Sequence, residues 1–456
     1  IRLLGAAGYA PNPHADPAAV PDVQLLLRRA TAGLRVAPGG QAHLPTLRVP
    51  SETLLESLPD VVEGADAVVQ TAFLLLRAAA TRHPETDAPV CLSLSDATHA
   101  LLAAPELRDA WHATLRGLLG GGWRFHHLWQ IPSGGSWSPR VIAELSALLT
   151  WPEKYEPSYV HCQETPWSPR DVLIVPGFAA LIGLAAGPGA ADAALVVREP
   201  ERIQALSEHF ARLVHHAKPL ITTYLVGDGG DQGNAARLRF TEVLTDAHEE
   251  PGEHCMVKSG IPLRFVPSSP WWSQILRDLG NGHRGGQREI AYRQRLWEYR
   301  LRTRHALAAK MRTWRHREIG STSGIRRFVA DGVVSSDDFL LDGLPPLPRE
   351  ERADALLQFL GQLRRHPNYE LALVDRDLDP LTSVVWVVKG SRFFCLEVVN
   401  RGTEDQRLDF MVVITEEQLV AGFRAYFEHL WNSLPARCRD KPRIEQWLDR
   451  QLEALQ

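Results

Sequence analysis

The chain has 456 residues, 45% of them hydrophobic, enough to bury a large core and to fill two to four domains of ordinary size. Its 50 Lys and Arg against 54 Asp and Glu leave a formal charge of −4, so no global positive field draws it to nucleic acid or anionic lipid, and any such contact has to be local. Five cysteines, Cys91, Cys162, Cys255, Cys395 and Cys438, odd in number and far apart, argue against a disulfide framework and fit a reducing cytoplasm. The longest apolar stretch, 67–80, is interrupted by Gln70 and Arg77 and falls short of the roughly 20 residues that a membrane-spanning helix needs. The sequence opens on Ile1 without the features of a secretory signal, and the expectation is that a further segment precedes it.

Residues Ile1 to Val49 are rich in Ala, Pro and Gly and read as a linker with one short helix from Val23 to Gly33. From Ala65 to Arg82, Val68, Val69, Ala72, Leu75, Leu76 and Ala79 form one helical stripe, of the kind that packs on a sheet. Pro89 to Ser95 alternates as a strand, Pro105 to Leu119 is an amphipathic helix ended by Gly120, Gly121 and Gly122, and Trp123 to Ile131 returns as a strand. Strand, helix and strand predict a parallel pair in an α/β layer. Asp171 to Val197 breaks into apolar segments suited to adjoining strands, and a helix follows at Pro200.

That last unit recurs 217 positions later. Val196, Val197, Glu199, Ile203, Leu206, Phe210 and Leu213 match Val413, Ile414, Glu416, Val420, Phe423, Phe427 and Leu430. The repeat predicts two similar α/β half-units packed as a pseudo-symmetric pair. The second copy is preceded by a hairpin, Val384 to Val388 and Phe393 to Val399 around Lys389, Gly390 and Ser391. Its helix opens with Thr415-Glu416-Glu417-Gln418, a capping-box pattern. Between the copies, Arg284 to Arg317 holds eleven Lys or Arg against Glu289 and Glu298, with Ile290, Trp297, Leu301, Ala308 and Met311 on one face: a long basic connecting helix. Pro442 to Leu455 closes the chain as a helix that docks on the body or on a second subunit.

No nucleophile elbow, phosphate-cradling loop or zinc-protease helix is present. His161-Cys162 and His254-Cys255 are zinc-type ligands, but neighbours on a strand face opposite ways, so they read as core or loop residues. His209, His215 and His216 read as core or surface histidines. Gly227 to Asn234 lacks the bidentate glutamate of a calcium loop and reads as a flexible connection. No catalytic residue, metal ligand or cofactor is therefore expected.

Ile1-Arg2-Leu3-Leu4-Gly5-Ala6-Ala7-Gly8-Tyr9-Ala10-Pro11 resembles the exit of Cro/cI-type (XRE) helix-turn-helix domains of bacterial regulators. That resemblance implies a dimer binding operator DNA through an N-terminal domain whose reading residues are missing from this sequence. The paired units, ending in Glu208 to Leu213 and Ala425 to Trp431, resemble the phospholipase D-like sensor modules of TrmB-type regulators. Glu318 to Glu370 is similar to a connector of long helix-turn-helix regulators from Gram-positive bacteria. Catalytic phospholipase D relatives carry His-x-Lys followed after four residues by Asp in each half. Here His216-Ala217-Lys218 is followed by Thr223 at that place, and His429 has no partner lysine, so the resemblance implies the fold without the chemistry.

The expected fold is α/β: two phospholipase D-like α/β half-units joined by a long basic helix and preceded by a mostly irregular linker. Residues 1–48 are the end of a DNA-binding domain and linker, 49–283 the first sensor unit, 284–335 the basic helical connector, and 336–456 the second unit with its closing helix. The expected function is the non-catalytic effector-sensing and dimerisation region of a cytoplasmic, homodimeric transcription regulator, not an enzyme. Its partners would be operator DNA and an unknown small-molecule or protein effector, with no membrane. A ligand pocket is expected where the carboxyl ends of the first unit's strands meet, at Ser93, Ser95 and Asp96 on one strand and Trp129 and Gln130 on the other. An interaction scaffold without small ligand, and a divergent phosphodiesterase or nuclease, are the rival readings.

Overall fold

A computed structural model describes residues 55–84, 87–94, 105–131, 154–161, 171–184, 191–226, 231–258, 260–265, 286–332, 346–375, 384–398 and 409–456. The expected linker, its helix from Val23 to Gly33 and the helix-turn-helix-like segment lie outside these residues. Two compact units emerge, one of residues Val36–Thr222 and one containing Thr223–Gln456.

The first unit runs β1 (Val61–Glu63), α1 (Ala65–Ala79), β2 (Val90–Leu94), α2 (Pro105–Gly120), β3 (Phe125–Ile131), β4 (Tyr155–His161), β5 (Val172–Val175), β6 (Ala179–Leu184), β7 (Ala193–Val197), α3 (Pro200–His216) and β8 (Lys218–Pro219). Its sheet has the order β1-β7-β6-β5-β2-β3-β4-β8, with β2, β3 and β4 parallel. The predicted stripe of α1 is its buried face, which packs on β5, β6 and β7, and α2 packs against α1. The opposite face is covered by α3, whose Ile203 and Phe210 meet Cys91, Leu128, Val172, Ile174 and Ala180. Pro200 stands in the first turn of α3, where a missing N–H costs nothing.

The second unit runs β9 (Thr222–Val226), α4 (Asp231–Glu249), β10 (His254–Val257), α5 (Gly286–Lys310), β11 (His316–Ser321), α6 (Thr322–Asp331), α7 (Arg349–Arg365), β12 (Tyr369–Val374), β13 (Val384–Lys389), β14 (Phe393–Val398), β15 (Asp409–Ile414), α8 (Glu417–Ser433) and α9 (Lys441–Glu453). The sheet order is β12-β11-β10-β13-β14-β15-β9, with β10, β11 and β12 parallel. Phe240 of α4, Leu307 of α5 and Phe359 of α7 cover the face carrying Met256, Val385 and Val387. On the other face α8 stacks Tyr426 on Trp386 and Phe423 on Phe394.

Counted within each unit, both sheets read 1-7-6-5-2-3-4, the first extended by β8, so the duplication expected from the 217-residue offset is a property of the topology. The register carries it across each sheet. Leu181 pairs with Val196 as Cys395 pairs with Val413; Ile174 pairs with Ala180 as Val388 with Phe394; Cys91 pairs with Ile174 as Cys255 with Val388. One residue back on those strands, Val90, Phe125 and Tyr155 lie in one row, and His254, His316 and Tyr369 in the equivalent one. The two tyrosines even bond alike: Tyr155 meets Nδ1 of His127 at 2.6 Å, and Tyr369 donates to Glu318 at 2.9 Å, His127 and Glu318 being equivalent positions.

Four expectations are corrected. The basic segment is not a connector between units: α5 ends at Lys310, Arg315 to Arg317 turn onto β11, and β11 lies between β10 and β12. Sheet membership accordingly divides the chain near Thr222 rather than at 283. Asp231 to Asn234, expected in a loop, open helix α4. The cap of α8 is Glu416, whose carboxylate accepts from the Leu419 N–H at 2.8 Å, one residue after the expected Thr415.

Candidate functional site

At the carboxyl ends of β2 and β3, beneath α3, the first unit holds a small pocket with about 30 Å³ of free space. At its base the Gln130 side-chain amide donates to Ser93 Oγ at 3.1 Å, and the surface the pocket presents is almost wholly apolar. Leu128, Val172, Ile174 and Ile182 rise from the sheet, and Leu206, His209, Phe210 and Leu213 descend from α3. Strand alternation explains the set, since Ser93 and Cys91 on β2 share a face with Leu128 and Gln130 on β3. Cys91 lies in the same core, and burial pushes its thiol up to about 12, so it is packing rather than a nucleophile.

Two of the five expected site residues, Ser93 and Gln130, meet here. Trp129 does not: alternation turns it to the opposite face, where its ring stacks on His127 with centroids 4.3 Å apart. Ser95 and Asp96 lie outside the described residues. The lining from α3, His209 above all, was missed, although the 217-residue repeat already set Leu206 and His209 against Phe423 and Tyr426.

The second unit carries a different polar cluster, at the amino ends of its parallel strands. Arg264, from a 3-10 turn at Leu263–Phe265, pairs with Glu318 at 2.6 Å, and Tyr369 donates to the same carboxylate. His316 stacks on His254 with centroids 4.1 Å apart and planes 16° apart, and His248 lies 5.0 Å from His254. Both ring nitrogens of His254 are buried without a hydrogen-bond partner among the described residues. Burial first, and then neighbouring cationic groups, lowers the pKa of His248 and His254 well below the usual histidine range, and burial brings His316 to about 4. Stacked rings aim their lone pairs side by side, and among the described residues no group of three or more His, Cys, Asp or Glu could hold a metal ion. Cys255 turns to the other face, beside Arg317, and Cys162 lies outside the described residues. Arg317, 1% exposed, is clamped there by Glu428 and by Glu253 at 3.2 Å.

Comparison with protein-family models gives no match, and comparison with curated proteins gives none either. Among solved structures, the chain is similar to TrmBL2, described as an archaeal chromatin protein with a novel mode of DNA binding, at 9% identity and a TM-score of 0.23, over 56% of this chain and 76% of that one. It is also similar to phosphatidylserine synthase of Haemophilus influenzae Rd KW20, at 10% identity and a TM-score of 0.25, over 93% and 98%. Polyphosphate kinase of Porphyromonas gingivalis follows at 11% identity and a TM-score of 0.23, over 90% and 59%. Overlap this loose carries no argument about activity. Among the described residues no helix is long and apolar enough to cross a membrane.

Proposed function

We propose that this chain is the effector-sensing, non-catalytic body of a DNA-binding transcription regulator. The observation that carries the reading is the duplicated architecture: two copies of one topology, of which the first keeps a small, largely apolar space at the strand ends where α/β sheets hold ligands. A ligand that prefers one arrangement of the body shifts its population, and with it the spacing of attached DNA-reading domains. The resemblance of the paired units to phospholipase D-like sensor modules fits the duplicated architecture. His216 and Lys218 are exposed at the end of α3, and the positions 217 residues later are Ser433 and Pro435, so paired His-x-Lys chemistry has no residues for a second half.

Protein expressed from the complete reading frame tests the reading by mobility shift on DNA from its own promoter across a salt series. Selective binding that weakens steeply with salt is expected. Equal binding to scrambled DNA at every salt overturns it. A second reading, an interaction scaffold, draws on the sheet edge where Val61 pairs with Leu195 and both stay over 40% exposed, with Leu184 at 44% on the same face.

A further inference from the structure

A formal charge of −4 leaves room for nucleic-acid contact only where cations gather locally, and the second unit gathers them at one end of its sheet. Three elements stop or start there. The turn after α5, the last residue of α7 and the first residue of α9 bring Arg312, Arg365 and Lys441 around His366. Asn368, at the entry to β12, ties that turn down by donating to the Arg312 carbonyl oxygen at 3.1 Å. Neighbouring cations are neutralised, Arg315 by Glu370 at 2.6 Å and Arg364 by Asp449 at 2.5 Å. Arg312, Arg365 and Lys441 form no ion pair among the described residues. Burial first, and then these three charges, hold the His366 pKa below the usual histidine range, and no carboxylate acts against them.

Helix dipoles account for part of this set. A cation at a helix C-terminus is stabilising, which covers Arg365 and Arg312. Lys441 sits at the opposite pole: it opens α9, where the dipole is positive and the first turn carries no acid, with Asp440 engaged as the cap. Arg437, Arg439 and Arg443 flank it in sequence, and Nε of Arg439 is buried without a hydrogen-bond partner among the described residues. Cations accumulated at a positive helix end call for an anion from outside the unit. Between Arg312 and Arg315, Trp314 is 42% exposed and makes no ring contact with a described residue.

We propose that this end of the second unit binds single-stranded nucleic acid, with backbone phosphates on Arg312, Arg365 and Lys441 and one unstacked base on the Trp314 indole. Arginine forks match phosphate oxygens in pairs. An exposed indole is a platform for a base freed from its neighbours, whereas a duplex keeps its base faces stacked. A membrane surface would need a wider apolar face than one indole. The contact belongs to the body itself and is independent of the sensing function proposed above.

Fluorescence anisotropy of a labelled oligothymidylate, titrated with the 456-residue chain across a salt series, tests the assignment. Binding that weakens with salt and exceeds binding to a duplex of equal length is expected. Arg312→Gln and Lys441→Gln each reduce the slope of log affinity against log salt by about 0.7. Trp314→Ala weakens binding about tenfold, the contribution of one stacked base. Lys441→Glu weakens it while Tm stays equal or rises, since a carboxylate suits the first turn of α9. Absence of salt-dependent binding, equal affinity for the duplex or for phosphatidylglycerol vesicles, or unchanged binding by folded Trp314→Ala or Lys441→Glu overturns the proposal. Oligothymidylate binding bears on this face alone, and selective promoter binding by the complete protein bears on the regulator reading.

Discussion

Glu318 carries a charge with 1% of its side chain exposed, a state that burial alone would penalise by raising its pKa. Arg264 2.6 Å away, helped by His316 and Tyr369, holds the carboxyl down to about 2 instead. Glu318→Gln keeps the shape, leaves Arg264 buried without its counter-charge, and is expected to cost about 3 kcal/mol, read as a lower urea midpoint. An unchanged midpoint would refute that role. The pH dependence has two parts. Glu318, with its pKa depressed, contributes stability above about pH 4.5 that is lost as pH falls towards 2. His248, His254 and His316 are also depressed, so the unfolded chain takes up protons below about pH 6.5 that the folded chain refuses. Stability therefore falls from pH 6.5 towards 4, by at most about 1.4 kcal/mol per pH unit for each histidine. The first unit uses Val90 and Phe125 at the places of His254 and His316, so the pair His254→Val and His316→Phe should flatten this slope by up to two protons. Urea midpoints at pH 7, 6 and 5 measure it, and a slope as steep as the parent's would show that these rings are not its source.

At the scale of elements, helix ends show where local patterning stops being sufficient. Thr415 and Glu416 both suit a cap, and it is the Glu416 carboxylate that reaches the Leu419 N–H while Thr415 stays exposed. Glu416→Ala is therefore expected to cost about 1 kcal/mol and Thr415→Ala close to nothing, a contrast that thermal melts resolve. Helix α6 ends on Gly332 at φ 69, and a Cβ there would meet the Leu347 carbonyl oxygen at 2.5 Å. Gly332→Ala should lower stability by more than about 1 kcal/mol, because both the left-handed conformation and the close approach exclude a side chain. On α5, Arg302 pairs with Glu249 at 2.8 Å and Arg304 donates to Gln358 at 2.7 Å, so these two cationic side chains are held within the unit.

For the molecule as a whole, duplication has left two units of one topology with unequal cores. In the second, α8 buries Leu419, Val420, Phe423, Tyr426, Phe427, Leu430 and Trp431; in the first, α3 buries Ile203 and Phe210. Local stability follows such packing, so amides of β10, β13 and β14 should exchange with solvent more slowly than their counterparts in β2, β5 and β6. Hydrogen exchange followed by mass spectrometry decides this, and equal protection of the two sets would mean that the open pocket costs the first unit nothing.

Periodicity alone placed α1, β2, α2, β3 and the β13–β14 hairpin to within three residues at each end, because side-chain patterning dictates which face of a short segment seeks the core. The 217-residue repeat was likewise legible, since equivalent buried positions demand apolar residues of the same spacing. Two residues of the pocket lining, Ser93 and Gln130, were among those picked out by the rule that ligands sit at strand ends. What the sequence did not decide was which elements are neighbours. That Arg317 lies on a central strand rather than a connector, that Trp129 turns away from Gln130's face, that His209 of α3 joins Ser93 more than a hundred residues earlier, and that His254 stacks on His316 beside a buried ion pair are consequences of strand order and register. Those depend on contacts between segments remote along the chain, where long-range packing and desolvation, rather than local preference, choose the arrangement.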